Sequence, residues 1–412
     1  MKVLQITTSS KGGAGIAALR LHHALRENGV SSGFLSQDLS IDFEGTKVED
    51  SFFEYKKLSV FQRIIRKVQI VFSPTKAQRV QKEIKAKKAV LEYEMLSVPF
   101  SSYQLEKHPL VQEATLLNLH WVGIILDYER FFLALKKPIV WTLHDMNPFL
   151  GLFHYRADDL KNSMLLPQLD AECRKIKRAA IQNISMGAVI TPSNWLLNEA
   201  LESEVFNHFS VKRRISNAID LETFKLQDST ALRKEYGIDP NEFVLLFISD
   251  RLANKRKGFD LLLEALTHLD ETPITVVTIG KGETKSVCKN LKIVPLGRIA
   301  SPAKMAACYA LADLFVLPSR EDNLPNVLLE SFACGTPAVG FSIGGMKEHI
   351  RDDFNGYLAK EISGASLAKA IECVCKNRNS YDRSKIRAFA EDHFNFKKQA
   401  KAYTSTYREL IK

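Results

Sequence analysis

Residues 314–350 read LFVLPSREDNLPNVLLESFACGTPAVGFSIGGMKEHI. Four unbroken apolar residues, 314–317, have the length and composition of a strand buried on both faces, as in a parallel sheet. A polar loop from Pro318 to Pro325 follows. Residues 326–333 then carry a helical pattern in which Leu328, Leu329 and Phe332 can turn to one side, and Gly335 closes it. Residues 337–341 are a second apolar run. A strand, a helix and a second strand in this order make a parallel α/β unit. The amides that open the helix then lie beyond the carboxyl end of the first strand, where they favour an anion or a sugar hydroxyl. Asn326 and Glu330 are four apart and share a helix face. Asp322 and Glu330 are acids with seven residues between them.

The same alternation runs through most of the chain. Residues 2–7 read as a strand, followed by the loop Lys11-Gly-Gly-Ala-Gly15 and a helix over 16–28 that Gly29 stops. Further strands are expected at 116–119, 139–143 and 188–191. The pattern then restarts. Strands are expected at 243–248, 274–279, 292–295, 314–317 and 337–341, with a helix over 259–269. The fold class is therefore α/β with two Rossmann-like halves that meet near residues 217–228. The expected division is a first domain of residues 1–219, a second of 220–395, and a final helix within 396–412. That helix follows the completed second sheet and is expected to return to the first domain.

The 412 residues are 45% hydrophobic and 25% charged, the composition of a globular protein. The net charge of +10 sits in one place: residues 56–88 hold eleven Lys and Arg against the single acid Glu83. Residues 60–72 have helical apolar spacing, with Arg63, Arg66 and Lys67 off the stripe. Such a segment is either a packed helix with a solvated basic face or a peripheral helix on an anionic membrane. Aromatic residues are sparse there and no nucleic-acid-binding motif occurs, so nucleic acid is not an expected partner. Among six cysteines only Cys373 and Cys375 are close, without a second pair at zinc spacing. The chain opens on a strand pattern rather than a signal sequence, and no window approaches about 20 apolar residues. A cytoplasmic protein is expected, with peripheral contact to the inner face of the plasma membrane as the further possibility.

Residues 314–350 resemble retaining glycosyltransferases of the GT-B fold that carry an E-x(7)-E motif, the glycosyl transferases group 1. Here the motif is Asp322-x(7)-Glu330, and E-D-N-L-P-N followed by A-C-G-T-P looks like the transferases of bacterial surface polysaccharides. Ile248-Ser-Asp-Arg-Leu-Ala-Asn-Lys-Arg-Lys-Gly-Phe-Asp260 resembles the family's G-R-L-x-x-x-K-G segment. Trp141-Thr-Leu-His-Asp-Met-Asn-Pro-Phe149 looks like its T-L-H-D-M-x-x-F stretch, and Gly12-Gly-Ala-Gly15 matches its first glycine loop. The resemblance covers residues 1–36 and about 116 onward.

The resemblance implies a transfer of sugar from a nucleoside diphosphate to a hydroxyl, with two domains facing across a cleft. A UDP-sugar is favoured and a GDP-sugar is the other choice; the acceptor is a saccharide or lipid-linked oligosaccharide. Glu330 is expected on the ribose, and Asp322 with Asn323, Leu324 and Pro325 on the transferred sugar, with Asn326 opening the helix. Lys257, then Arg256, then Arg251 are the candidates to clamp the diphosphate, where fixed cations stabilise charge that grows as the nucleotide leaves. Gly12 and Gly13 approach the phosphates, and Arg298 and Ile299 lie near the base. His144 is expected at the reaction centre, with a hydrogen-bonding or electrostatic role. His120 and Asp145 are expected on the acceptor side, Asp145 also as an orienter of His144. No metal or other cofactor is implied.

Other readings stand beside these. An Asp before a helix is also a capping residue. Gly13-x-Gly15-x-x-Ala18, with Asp38 near the end of a second strand, also fits the dinucleotide fingerprint of a nicotinamide oxidoreductase. A sugar-nucleotide epimerase or a phosphorylase on the same fold is a closer alternative.

Overall fold

The computed structural model describes residues 1–48, 76–269, 273–283 and 291–412. The helix expected over 60–72, and the basic run up to residue 75, lie outside the described residues. The chain forms two compact units. The first comprises Met1–Thr191, Leu196–Ile215 and Ala400–Lys412; the second comprises Pro192–Trp195 and Ser216–Gln399.

The first unit is built on a seven-stranded sheet of β1 (Lys2–Ile6), β2 (Ser31–Leu35), β3 (Ser40–Ile41), β4 (Leu116–Leu119), β5 (Ile139–Thr142), β6 (Gly187–Thr191) and β7 (Val211–Arg214), in the order β3-β2-β1-β4-β5-β6-β7. All pairs are parallel except β2 with β3. The central strands are short apolar runs with both faces covered, as their sequences require. The first helix spans Gly12–Glu27 and so starts inside the glycine loop, four residues earlier than expected.

The second unit holds a six-stranded parallel sheet of β8 (Phe243–Arg251), β9 (Ile274–Lys281), β10 (Leu291–Pro295), β11 (Leu314–Leu317), β12 (Ala338–Phe341) and β13 (Gly356–Ala359), ordered β10-β9-β8-β11-β12-β13. Each sheet reverses its winding once, between β1 and β4 and between β8 and β11. In open parallel sheets the loops at the carboxyl ends of such neighbouring strands form the ligand crevice. Here they are the loops after Ile6, Leu119, Arg251 and Leu317.

The division of the chain differs from a cut at residue 219. The boundary falls at 215/216, and residues 192–195 leave the first unit to join the second. Glu348 grips this short excursion. Its carboxylate accepts from the Asn194 amide at 3.0 Å, the Asn194 side chain at 3.1 Å and the Trp195 amide at 2.9 Å. The last helix, Phe396–Leu410, buries Tyr403 and Tyr407 in the first unit. The Tyr403 hydroxyl lies 3.2 Å from Thr142 Oγ1, and Tyr407 accepts from Asn118 at 2.9 Å.

Candidate functional site

In the second unit the loops after β8 and β11 are stitched together. The Arg320 amide donates to the Arg256 carbonyl at 2.7 Å, and the Arg320 guanidinium pairs with Asp260 at 2.8 Å. Gly258 permits the approach. It sits at φ +70°, and a Cβ there would lie 1.9 Å from the Pro318 carbonyl oxygen. A residue other than glycine would be strained in φ and would push the loops apart.

This stitching sets two cations on one acid. Asp322 Oδ2 lies 2.6 Å from Lys257 Nζ and 3.3 Å from the Arg256 guanidinium, and it accepts from the Ser319 hydroxyl at 3.2 Å. Arg256 also donates to the Glu321 carbonyl at 2.8 Å. Asp322 is only 8% exposed. Burial opposes its ionisation, but Lys257 and then Arg256 overcome that and hold the carboxyl below the usual carboxylate value. Asp322 therefore does not cap the following helix, whose N-cap is Pro325 without a side-chain bond. Two cations thus share one carboxylate at the mouth of a parallel sheet.

The helix Asn326–Ala333 carries Glu330 one turn beyond Asn326. Leu328, Leu329 and Phe332 are fully buried, which fixes the rotation of the helix. Glu330 is 7% exposed and accepts from the Tyr309 hydroxyl at 3.0 Å. Asn326 accepts from Asn217 at 3.2 Å. Gly344 and Gly345 bear on the other side of the acid loop. The Gly345 amide donates to the Asn323 carbonyl at 2.6 Å, and a Cβ at Gly344 would stand 1.8 Å from the Asp322 carbonyl oxygen. Ser193, from the 192–195 excursion, donates to Asn323 Oδ1 at 2.5 Å. Leu324 is buried behind this loop.

Arg251 is exposed at the end of β8 and is not among the partners of Asp322; Arg256 is. Arg298 is exposed and Ile299 half-buried in the loop after β10, where Gly297, at φ +62°, accepts from the Gly280 amide at 2.8 Å. The acid anchors Tyr309 and Ser319 were missed in the sequence. Ser319 lies in the quoted block, but nothing in the spacing marks Tyr309, which reaches Glu330 from a neighbouring helix.

In the first unit, Gly12 and Gly13 open the first helix, with no atom within 4 Å of a Cβ at either; Gly15 is the tight position, where a Cβ would meet Ser9 O at 2.2 Å. Asp38 does follow a second strand, as the dinucleotide reading requires. Its carboxylate, however, accepts from the Ser10 amide at 2.7 Å and from the Ser9 and Ser36 hydroxyls at 3.0 and 2.9 Å, so it is spent on holding this loop. His120 and His144 follow the adjacent strands β4 and β5, and their rings meet: His120 Nδ1 lies 3.0 Å from His144 Nε2. Burial drives the His144 pKa down to about 4, with Asp145 opposing, and holds His120 well below the usual histidine value. The expectation that Asp145 orients His144 is corrected. Asp145 turns to His154, with Oδ2 2.6 Å from Nδ1, and accepts from the Asn147 amide at 2.9 Å.

Residues 242–377 match the family model for glycosyl transferases group 1. The second unit carries a glycosyl transferases group 1 domain. Curated relatives include a D-inositol 3-phosphate glycosyltransferase of Geodermatophilus obscurus, 29% identical over 42% of this chain and 43% of that protein. Another is an N-acetyl-alpha-D-glucosaminyl L-malate synthase of Bacillus anthracis, 27% identical over 48% of this chain and 54% of the relative. The chain thus spans about half the length of the curated relatives it matches. Over its whole length it shares the GT-B fold of Anabaena HepE (Alr3699), solved with UDP (TM-score 0.62, 17% identity, 99% of this chain and 100% of that one). The same holds for sucrose-phosphate synthase from Thermosynechococcus elongatus (TM-score 0.65, 17% identity, 100% and 99%).

The glycosyl transferases group 1 domain contains Arg251, Arg256, Lys257, Arg298, Ile299, Asp322 to Asn326 and Glu330. Gly12, Gly13, His120, His144 and Asp145 lie outside the matched residues.

Proposed function

We propose that this protein is a retaining glycosyltransferase that moves a sugar from a nucleoside-diphosphate sugar, in the first place a UDP-sugar, to a hydroxyl of a saccharide or lipid-linked oligosaccharide in surface polysaccharide synthesis. The observation that carries the proposal is the cluster of Lys257 and Arg256 on Asp322 at the winding reversal of the second sheet, with Glu330 on the helix that follows. UDP and UDP-glucose bound to HepE, a protein of the same fold, support the choice of donor.

In this reading the linked phosphates take up part of the positive charge that Asp322 holds in the resting protein. Arg256 and Lys257 then stabilise the charge that gathers on the leaving diphosphate, the largest electrostatic demand of the reaction. Glu330, oriented by the Tyr309 hydroxyl, receives the ribose hydroxyls. Asp322 and the backbone of 323–325 hold the sugar, and His144 serves it as a neutral hydrogen-bonding group. The leaving phosphate removes the acceptor proton on the same face, which retains configuration, and no metal is assigned a part. On the first unit the helix Lys76–Lys87 exposes Arg79, Lys82 and Lys85 along one face, and we assign this face to an anionic bilayer that carries the acceptor.

Thermal-shift titration with nucleosides, nucleotides and sugar nucleotides tests the site. A nucleoside diphosphate and its sugar are expected to raise Tm; Glu330→Ala abolishes the gain, and Lys257→Ala weakens diphosphates more than nucleosides. A protein indifferent to every nucleoside diphosphate removes the proposal. Flotation with anionic vesicles at low salt tests the bilayer face.

A further inference from the structure

Residues 192–195 come from the first half of the chain but belong to the second unit, and there they close a ring of contacts around the acid loop. The fully buried Ser193 hydroxyl meets the Asn323 side chain at 2.5 Å. The Asn323 carbonyl accepts from the Gly345 amide at 2.6 Å. Gly345 in turn packs on Ser193, where a Cβ on the glycine would stand 2.9 Å from the serine Cβ. Glu348 lies on the same turn of chain as Gly345, with its amide donating to the Gly345 carbonyl at 3.2 Å. Its carboxylate takes the Asn194 amide and side chain and the Trp195 amide. Asn194 and Trp195 open the helix Asn194–Glu202, so the carboxylate is held by the helix dipole as well as by charge-assisted hydrogen bonds.

Asn323 is thereby held at two points, its side chain by Ser193 and its carbonyl by Gly345. Glu348 fastens the segment that carries Ser193 to the turn that carries Gly345. The nucleotide half of the site has separate supports. Glu330 meets Tyr309, Lys257 and Arg256 meet Asp322, and Arg256 also meets the Glu321 carbonyl. A fault in the ring therefore reaches Asn323 before it reaches those groups.

We propose that Ser193 and Glu348 are positioning residues for the transferred sugar: Glu348 anchors residues 192–195, and Ser193 from that segment sets Asn323 and the loop backbone of 323–325 against the sugar of the nucleotide donor. The inference rests on the transferase reading above. It puts one determinant of sugar binding, Ser193, outside residues 242–377, the part of the chain that matches the family model. A loop fixed in this way before the donor arrives needs no ordering on binding.

Calorimetric titration of the full-length protein with UDP, GDP, UDP-glucose, UDP-N-acetylglucosamine and GDP-mannose separates the sugar from the nucleotide. The sugar nucleotide that wild type binds best is then compared with its own nucleoside diphosphate in each variant. Ser193→Ala is expected to raise Kd for the sugar nucleotide about 3–10-fold, the range of one lost hydrogen bond, and to leave Kd for the nucleoside diphosphate within about twofold. In an Asn323→Ala background the same substitution is expected to change either Kd by less than about twofold, because its partner is gone. Glu348→Gln keeps the size and removes the charge from the two helix amides. It is expected to act in the same direction, and it carries the test if Ser193→Ala fails to fold. A folded variant that binds both ligands as wild type does overturns the inference. So does one that weakens the nucleoside diphosphate as much as its sugar, the mark of a merely structural role. Failure of the transferase reading shows itself differently, as wild-type protein indifferent to all of these ligands, and it removes this inference with it.

Discussion

Replacing Asp322 by Asn tests the charge balance of the second unit. Asn keeps the size and can keep the Ser319 contact, but it removes the charge that Asp322 sets against Lys257 and Arg256. With an effective dielectric of about 20, the attractions across 2.6 and 3.3 Å are about 6 and about 5 kcal/mol before solvation is counted. Desolvation of the charges offsets most of this, and breaking a buried pair from one side costs about 3–5 kcal/mol. In a unit of about 190 residues each kcal/mol moves Tm by about 2–4 °C, so the transition should fall by roughly 10 °C. The same substitution should tighten inorganic pyrophosphate. One negative charge removed from about 4 Å is worth about 1 kcal/mol even in water, or about fivefold in Kd. The assay is differential scanning calorimetry with and without pyrophosphate, which should restore more of the lost Tm in the variant than it adds to wild type. The folded pKa of Asp322 lies below its ordinary 3.8, so its contribution is complete above pH 3.8 and fades as pH falls through the folded value. The gap between wild type and variant should accordingly be flat from about pH 5 to 8 and narrow below 3.8. An unchanged Tm together with weaker pyrophosphate binding would refute the view that this carboxylate neutralises a phosphate site in the resting protein.

Gly258→Ala should cost about 1–3 kcal/mol from the left-handed backbone, and more from the clash with Pro318. Equilibrium urea unfolding measures the loss, and nucleoside diphosphate affinity should fall with it because Lys257 is displaced. Lys177 is fully buried and donates to the Asn147 and Leu150 carbonyls, and burial lowers its pKa to about 7. Since the unfolded chain binds this proton up to about 10.5, stability of the first unit should rise from pH 7 toward 9, and Lys177→Met should flatten that rise in urea unfolding.

Much of both sheets was readable because central parallel strands are continuous apolar runs. What escaped was what tertiary pairing alone stabilises. Val211–Arg214 is the edge strand β7 despite the run Lys-Arg-Arg, and Gly356–Ala359 at the other sheet's edge begins with a glycine that abuts Ala338. Spacing could not choose between Arg251 and Arg256, because the loop between β8 and the next helix includes a short 3₁₀ turn, Lys255–Lys257, that aims side chains independently of residue count. The meeting of His120 with His144 was equally hidden. It needs β4 beside β5 in the register Leu119 to Trp141, which brings two strand ends together that are far apart in sequence.

The chain passes between its two units at 191/192, 195/196, 215/216 and 399/400. No single breakpoint separates them. A gene fragment starting at codon 216 would strip Glu348 of Asn194 and Trp195, and one stopping at codon 399 would take Tyr403 and Tyr407 from the first sheet. Simple recombination between such proteins would therefore leave mismatched clasps at both seams, and even an exchange confined to residues 242–377 would have to keep Asn323 and Glu348, which hold Ser193, Asn194 and Trp195.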